Sequence, residues 1–225
     1  MPAQPSKSKR TITQPITIGR AKRWNRNDTH ALVVIWLLGL LIFRPAFGYP
    51  FVNWDDVIFM QQNPIFTMSP GDALQAIFTP GAVPKEMIYI PLTYLSLLLE
   101  SWTFGLSAGS VHAINIVLHL INASLVYRLA TKLSGERWVG LLVALPFLFH
   151  PLQTEAVVWA MGRKDVLGTC LALGTLHQWI KLLDENQAEF QGRATKVVLC
   201  FIGVVLAKPT FLILPVLLAL VELYR

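Results

Sequence analysis

The sequence predicts an all-α membrane protein, a multi-span helical bundle, and three observations support this fold class. Of its 225 residues, 54% are hydrophobic and only 14% are charged, whereas soluble domains carry about 25% charged residues. Several apolar stretches approach the roughly 20 residues that a helix needs to cross a bilayer. The chain contains no Walker loop, dinucleotide-binding glycine pattern, CxxC or HExxH motif, so no common nucleotide or zinc site is indicated.

The chain divides into a basic tail, residues 1–30, and a transmembrane module, residues 31–225. The tail holds seven Lys and Arg residues against one acid. Because it adjoins an apolar segment, the positive-inside rule accounts for this charge better than nucleic-acid binding does, and we expect a cytoplasmic N-terminus. A cleaved targeting signal is less favoured, since further apolar segments follow.

The apolar segments predict about six membrane passages. They are 31–51, 106–133, 138–149, 166–183 and the two halves of 197–225, which Lys208 and Pro209 divide. One long kinked span over 197–225 is the alternative. With the tail in the cytoplasm, the loops 52–90 and 150–165 both lie on the outer face.

Two helices are predicted near the first outer loop, residues 52–90. Ser69 and Pro70 begin a short helix, as an N-cap and a first helical position respectively. The segment 89–105 is amphipathic and carries Glu100 in its middle, so we expect a helix lying on the membrane surface. "SGERW" at 134–138 predicts a tight turn between two helices.

A polar stripe runs along the segment 106–133. At 100° per residue, His112, Asn115, His119 and Asn122 fall within an arc of about 80°. The stripe therefore faces protein or a water-filled cavity. We interpret the two asparagines as interhelical hydrogen-bonding groups, and His112 as a candidate site residue because intramembrane polar groups are often functional.

Two adjacent acids, Asp55 and Asp56, follow the first apolar segment directly. Phe51, Trp54 and Phe59 surround them in sequence. Desolvation by aromatic neighbours and mutual repulsion both raise the pKa of a carboxyl towards the range of a general base. The alternative is an ordinary solvated loop.

Cations mark the second outer loop. Arg163 and Lys164 are adjacent there, and Lys208 is a third cation on the same face. An arginine can clamp a phosphate with two hydrogen bonds, and a lysine adds a point charge. Membrane-interface anchoring is the alternative, although outward-facing cations run against the positive-inside trend.

Four segments, in this order, resemble the N-terminal membrane module of GT-C-fold glycosyltransferases. They are "FVNWDD…NP", "IPLTYLSLLL", "VHAINIVLHLINASLVYRL" and "FHPLQTEAVVWAMGRKDVL". The likeness is to the transmembrane-and-TPR O-mannosyltransferase family and its bacterial relatives. It covers most of 45–225, whereas such proteins continue with more spans and often a TPR domain. We therefore expect an incomplete bundle in a multi-pass protein of a bacterial inner membrane.

The resemblance implies transfer of a sugar, such as mannose, from a polyprenyl- or dolichyl-phosphate carrier to a hydroxyl acceptor, often on protein. The family's first-loop acids fall on Asp55 and Asp56, the catalytic candidates. Arg163, Lys164 and Lys208 are candidates for donor phosphate binding. The supporting residues are His150, Glu155, Asp165 and His112. A requirement for a divalent metal stays open.

Two functions of other classes remain. One is an inactive membrane fragment or scaffold that keeps the fold without turnover. The other is a transporter, which the polar stripe and the broken helix at Lys208 would suit. A transporter predicts an internal pseudo-repeat, and none is found in the sequence.

Overall fold

The computed structural model describes residues 26–53, 55–82, 88–183 and 187–223. All regular structure in these ranges is helical, which confirms the all-α class. The α-helices are α1 (Arg26–Phe43), α2 (Pro70–Phe78), α3 (Pro91–Phe104), α4 (Ala108–Ser134), α5 (Arg137–Phe149), α6 (Leu152–Val158), α7 (Arg163–Leu182), α8 (Gln187–Ala207) and α9 (Leu214–Leu223). Short 3₁₀ or π turns lie at Arg44–Gly48, Val57–Gln61, Pro64–Phe66, Ala160–Gly162 and Pro209–Ile213. The basic tail falls almost entirely outside the described residues.

The predicted number of six membrane segments is wrong for the described part of the chain. Three of its helical segments are long and apolar enough to cross a membrane: Arg26–Gly48, Ala108–Ser134 and Glu189–Ala207. The pair α5 and α6, bent by 66°, makes a fourth if it is counted as one broken span. The prediction failed at α7, whose first turn is charged, and at α9, which is only 10 residues long.

The helix break at Lys208 is confirmed, and a short helix, α9, follows it, but the helix before the break is longer than the predicted half-length helix. Helix α8 extends back to Gln187 and has 21 residues. It ends at Ala207, and a 3₁₀ turn over Pro209–Ile213 leads into α9. The Thr93 hydroxyl of α3 donates a 2.9 Å hydrogen bond to the Ala207 carbonyl. This contact satisfies one of the backbone acceptors that a helix end leaves free.

Helix α4 is the centre of the bundle and contacts α1, α5 and α7. A capping box of Ser107 and Ser110 begins it. Gly135, in the left-handed conformation with φ 73°, ends it and leads into α5, as the predicted tight turn requires. The helix is therefore 27 residues long with defined ends.

The polar stripe of α4 faces protein, as predicted, and His112, Asn115, His119 and Asn122 are all buried. The Asn115 amide donates to the carbonyls of Trp159, at 3.0 Å, and Ala160, at 3.4 Å. Asn122 donates a 2.9 Å bond to the Val166 carbonyl of α7. These bonds confirm the interpretation of the two asparagines as interhelical glue.

One end of the bundle is fastened by Asp28 of α1. Its Oδ1 accepts 2.9 Å hydrogen bonds from the Tyr127 hydroxyl of α4 and from Nε of Arg137 in α5. Three helices thus meet at one carboxylate at the end where α4 finishes. The loop that contains Asp56, the α5–α6 bend and the start of α7 lie at the opposite end, which carries the candidate site.

The segment 89–105, predicted as a surface helix, does form a helix, but its Glu100 is buried. The structure places it in α3, only 3% exposed, opposite Arg163. The short helix after Ser69 is confirmed, with the Ser69 side chain accepting from Asp72 N and Pro70 at the first position.

Candidate functional site

The loop that contains Asp56 is joined to the segment around Met161 through the Asp56 carboxylate. Its Oδ2 accepts a 3.0 Å hydrogen bond from the Val52 amide, and its Oδ1 accepts a 3.3 Å bond from the Met161 amide. Asp56 is fully buried. Asp56 and Met161, which are 105 residues apart in sequence, therefore meet at one end of the bundle, two residues before the adjacent cations Arg163 and Lys164.

The two adjacent acids occupy different environments. Asp55 is half-buried and lines a cavity of about 660 Å³, whose other lining residues are Val52, Thr154, Glu155, Val158 and Trp159. Only Asp55 of the pair lines this cavity, whereas Asp56 accepts hydrogen bonds from two backbone amides. Of the predicted aromatic neighbours, Phe59 packs in the buried core with Phe51 against it, and Trp54 lies outside the described residues.

Burial raises the pKa of the Asp56 carboxyl above its ordinary value, and the hydrogen bonds from Val52 and Met161 oppose that rise. Desolvation disfavours the charged form, whereas donated N–H bonds favour it. The charge on Asp56 therefore depends on the geometry of the segment around Met161.

Arg163 is fully buried and bound on every side of its guanidinium. Its Nη2 donates a 2.6 Å hydrogen bond to Oε2 of Glu100 and a 3.2 Å hydrogen bond to the Val111 carbonyl. Its Nε donates a 2.6 Å hydrogen bond to Oδ1 of Asn115, and its Nη1 lies 3.4 Å from the Ser96 hydroxyl. The side chain has no exposed surface. This geometry gives no support to a direct phosphate clamp at Arg163, which instead ties α7 to α3 and α4.

Lys164 lies beside the cavity. Its Nζ is 4.1 Å from the centre of the Trp159 ring and donates a 3.1 Å hydrogen bond to the Met161 carbonyl. Burial lowers the pKa of Lys164, and the charges of Asp165, Asp55 and Glu155 oppose that shift. Lys164 thus lies against Trp159, which lines the same cavity as Asp55 and Glu155.

Asp165 connects the two candidate phosphate-binding lysines. Its Oδ1 accepts a hydrogen bond from Nζ of Lys208, and its Oδ2 lies 3.8 Å from Nζ of Lys164. The three side chains are partly exposed, at 16–26%. Lys208 thus reaches the start of α7 from the break between α8 and α9.

The remaining predicted site residues, His150, Glu155 and His112, occupy three different environments. His150 is exposed, and its Nδ1 accepts from the Leu152 amide at the start of α6. Glu155 lines the cavity. His112 is buried in α4. Among those residues no group of three or more His, Cys, Asp or Glu side chains is arranged to hold a metal.

Sequence reasoning missed Glu100, Asn115 and Trp159 as parts of the site. Glu100 neutralises Arg163, Asn115 holds the backbone of Trp159, and Trp159 forms a cavity wall beneath Lys164. The polar stripe of α4 already indicated that Asn115 contacts protein, but it did not indicate which segment.

Replacing Asp56 with Asn is expected to destabilise the protein by about 1–3 kcal/mol, because the amide nitrogen would face either the Val52 or the Met161 amide and leave that donor unpaired. Thermal unfolding in detergent would measure the loss. Asp55→Asn is the matched control, since its half-buried carboxyl should change stability by about 0.5 kcal/mol or less. Equal stabilities of the two variants would contradict the bridging role of Asp56.

Comparison with known proteins reveals a distant relationship. The chain is 34% identical over 141 residues to the human protein O-mannosyl-transferase TMTC1, covering 59% of this chain and 16% of that protein. It is 36% identical over 93 residues to mouse TMTC2, covering 41% and 11%, and 30% identical over 135 residues to mouse TMTC3, covering 57% and 14%. No protein-family model matches the chain, and no solved structure does.

These matches confirm the resemblance seen in the sequence. The chain is a distant homologue of the TMTC protein O-mannosyl-transferases over about 60% of its length. Its matched part spans about one sixth of the length of human TMTC1.

Proposed function

We propose that the chain forms the acceptor-activating and donor-binding membrane module of a glycosyltransferase. The reaction moves a sugar, mannose by analogy with the names of its homologues, from a polyprenyl- or dolichyl-phosphate carrier to a hydroxyl group on protein. One observation carries the proposal: the carboxylate of Asp55 lines the same cavity as Trp159, whose ring lies under Lys164, and Lys164 shares the carboxylate of Asp165 with Lys208.

Asp55 is the general base in this reaction. The acceptor oxygen forms a bond to the anomeric carbon of the sugar while its proton passes to the Asp55 carboxylate. The bond between that carbon and the phosphate oxygen breaks, and the carrier phosphate leaves with the electron pair. Because attack and departure occur on opposite faces, the anomeric configuration inverts.

Lys164 and Lys208 stabilise the negative charge that develops on the leaving phosphate. Preorganised charges aimed at the developing charge stabilise a transition state more than they stabilise the ground state. The polar groups of the cavity, Asp55, Glu155 and Thr154, suit the hydroxyl groups of the acceptor and the sugar. Arg163 is left out of the donor site because its guanidinium is already paired.

The orientation that we propose has the N-terminus in the cytoplasm and this site on the outer face. The seven-to-one excess of basic residues in the first 30 supports it. The first and second outer loops also share one end of the bundle, through Asp56 and Met161. A lipid-borne donor would then reach the site from the outer leaflet.

The test is transfer of radiolabelled mannose from dolichyl-phosphate-mannose to a Ser- and Thr-rich peptide in membranes that contain the protein. Lys164→Met combined with Lys208→Met should raise the donor KM by about tenfold or more, because each lost charge-assisted contact is worth about 1.5–3 kcal/mol. Donor binding should also weaken as the pH rises through the lowered pKa of Lys164.

Lys181→Met is the control, because Lys181 is an exposed lysine in the last turn of the same helix. It should leave the KM unchanged. A double variant at Lys164 and Lys208 with the donor KM of the wild type would contradict the assignment of the phosphate site. Absence of transfer by a folded wild-type protein would favour the scaffold function instead.

A further inference from the structure

The two lysines of the proposed donor site share a single carboxylate. Nζ of Lys208 is paired with Oδ1 of Asp165, while Nζ of Lys164 lies 3.8 Å from Oδ2. Each oxygen of one anion thus faces a different ammonium group. The charge of Lys208 also lowers the pKa of Lys164.

This arrangement is one that a phosphate group could also adopt. A phosphate presents several oxygens to ammonium groups, as the Asp165 carboxylate presents two. Asp165 also lies in the first turn of α7, where free backbone N–H groups and the helix dipole favour an anion. The carboxylate and an incoming phosphate would therefore compete for the same cations.

We propose that Asp165 is a resident competitor for the donor phosphate. The carboxylate neutralises Lys164 and Lys208 in the empty site, and the phosphate binds by displacing it from at least one of them. This inference rests on the proposed function, because it takes these two lysines as the phosphate site. It assigns Asp165 a role opposite to that of a supporting residue, since Asp165 weakens donor binding.

The lysines are held in place by contacts other than Asp165. Lys164 is fixed by the Met161 carbonyl and the Trp159 ring. The Lys208 backbone amide donates a 2.8 Å hydrogen bond to the Val204 carbonyl. The Thr93 hydroxyl donates a hydrogen bond to the carbonyl of the preceding residue, Ala207. Removal of the Asp165 charge is therefore expected to free both ammonium groups, while Lys164 keeps its side-chain contacts and the backbone of Lys208 stays in place.

The experiment measures binding of farnesyl phosphate to the purified protein in detergent, with farnesol as the uncharged comparison. Asp165→Asn should bind farnesyl phosphate about two- to fivefold more tightly than wild type, the range expected for loss of one partly exposed competing ion pair. Asp165→Glu retains the competitor and should bind as the wild type does. Farnesol binding should be equal in all three proteins.

Asp72→Asn is the matched control, because Asp72 also lies in the first turn of a helix, α2, but is exposed and bonded to Ser69. It should leave the affinity unchanged. Weaker binding by a folded Asp165→Asn variant, while the wild type prefers farnesyl phosphate to farnesol, would overturn the inference and leave the donor site standing. Equal binding of phosphate and alcohol by both proteins would overturn the inference and the donor site together.

Discussion

Asp55→Asn is expected to slow sugar transfer by about 10²–10⁴-fold, the contribution typical of a general base. Asparagine has nearly the same shape as aspartate but cannot take the acceptor proton. Because Asp55 lines the cavity while Asp56 serves two backbone amides, the loss should fall on the turnover rate rather than on stability. The measurement is kcat for transfer from dolichyl-phosphate-mannose, with the donor KM taken from the same data.

Glu155→Gln is the informative control for this prediction, because Glu155 is the other carboxylate that lines the cavity. It is expected to retain most of the rate. A full loss in Glu155→Gln with a normal rate in Asp55→Asn would move the base to Glu155. Wild-type rates in both variants would refute acid–base catalysis by a carboxylate of this cavity.

The sequence pair Asp55 and Asp56 illustrates what a sequence can and cannot predict about this site. Two adjacent acids after an apolar segment indicated a functional loop, and the structure brings that loop to the predicted second loop. The sequence could not distinguish the two acids. Which of them reaches the cavity depends on where the Val52 and Met161 amides lie, and Met161 is 105 residues from Asp56.

The local features of the fold were the most predictable ones. Ser69 with Pro70, the turn at Gly135 and the break at Lys208 all follow from short-range rules of helix capping and breaking. The polar stripe of α4 was predictable because helical periodicity sets which residues share a face. The number of spans was not, because the apolar stretches around α7 and α9 predicted membrane segments, whereas neither helix is among those of the described residues that are long and apolar enough to cross a membrane.

Glu100 shows why a long-range contact escapes such rules. A single acid in an apolar segment indicated a surface position, since burial of an unpaired charge is costly. Its partner, Arg163, follows 63 residues later at the start of another helix. Likewise, Arg163 in a loop with Lys164 suggested a phosphate clamp. Both predictions lacked the same fact, namely that these two side chains pair in the interior.

Glu100→Leu is expected to destabilise the protein by about 3–5 kcal/mol, because it leaves the Arg163 guanidinium buried without a counter-charge. The geometry is close and the side-chain exposures are 0% and 1%. Glu100→Leu combined with Arg163→Met should recover much of this loss, since an apolar pair removes both desolvation costs. Unfolding of the wild type, Glu100→Leu, Arg163→Met and the double variant in detergent would give the coupling free energy between the two residues.

The same double variant decides between the two roles of Arg163. If Arg163 only connects α7 to α3 and α4, the folded double variant should bind farnesyl phosphate as tightly as the wild type. If Arg163 clamps the phosphate directly, binding should fall about tenfold or more even where stability is restored. A cost below about 1 kcal/mol for Glu100→Leu alone would mean that the pair is hydrated in the membrane-embedded protein, as surface ion pairs are, and the buried tie would be wrong.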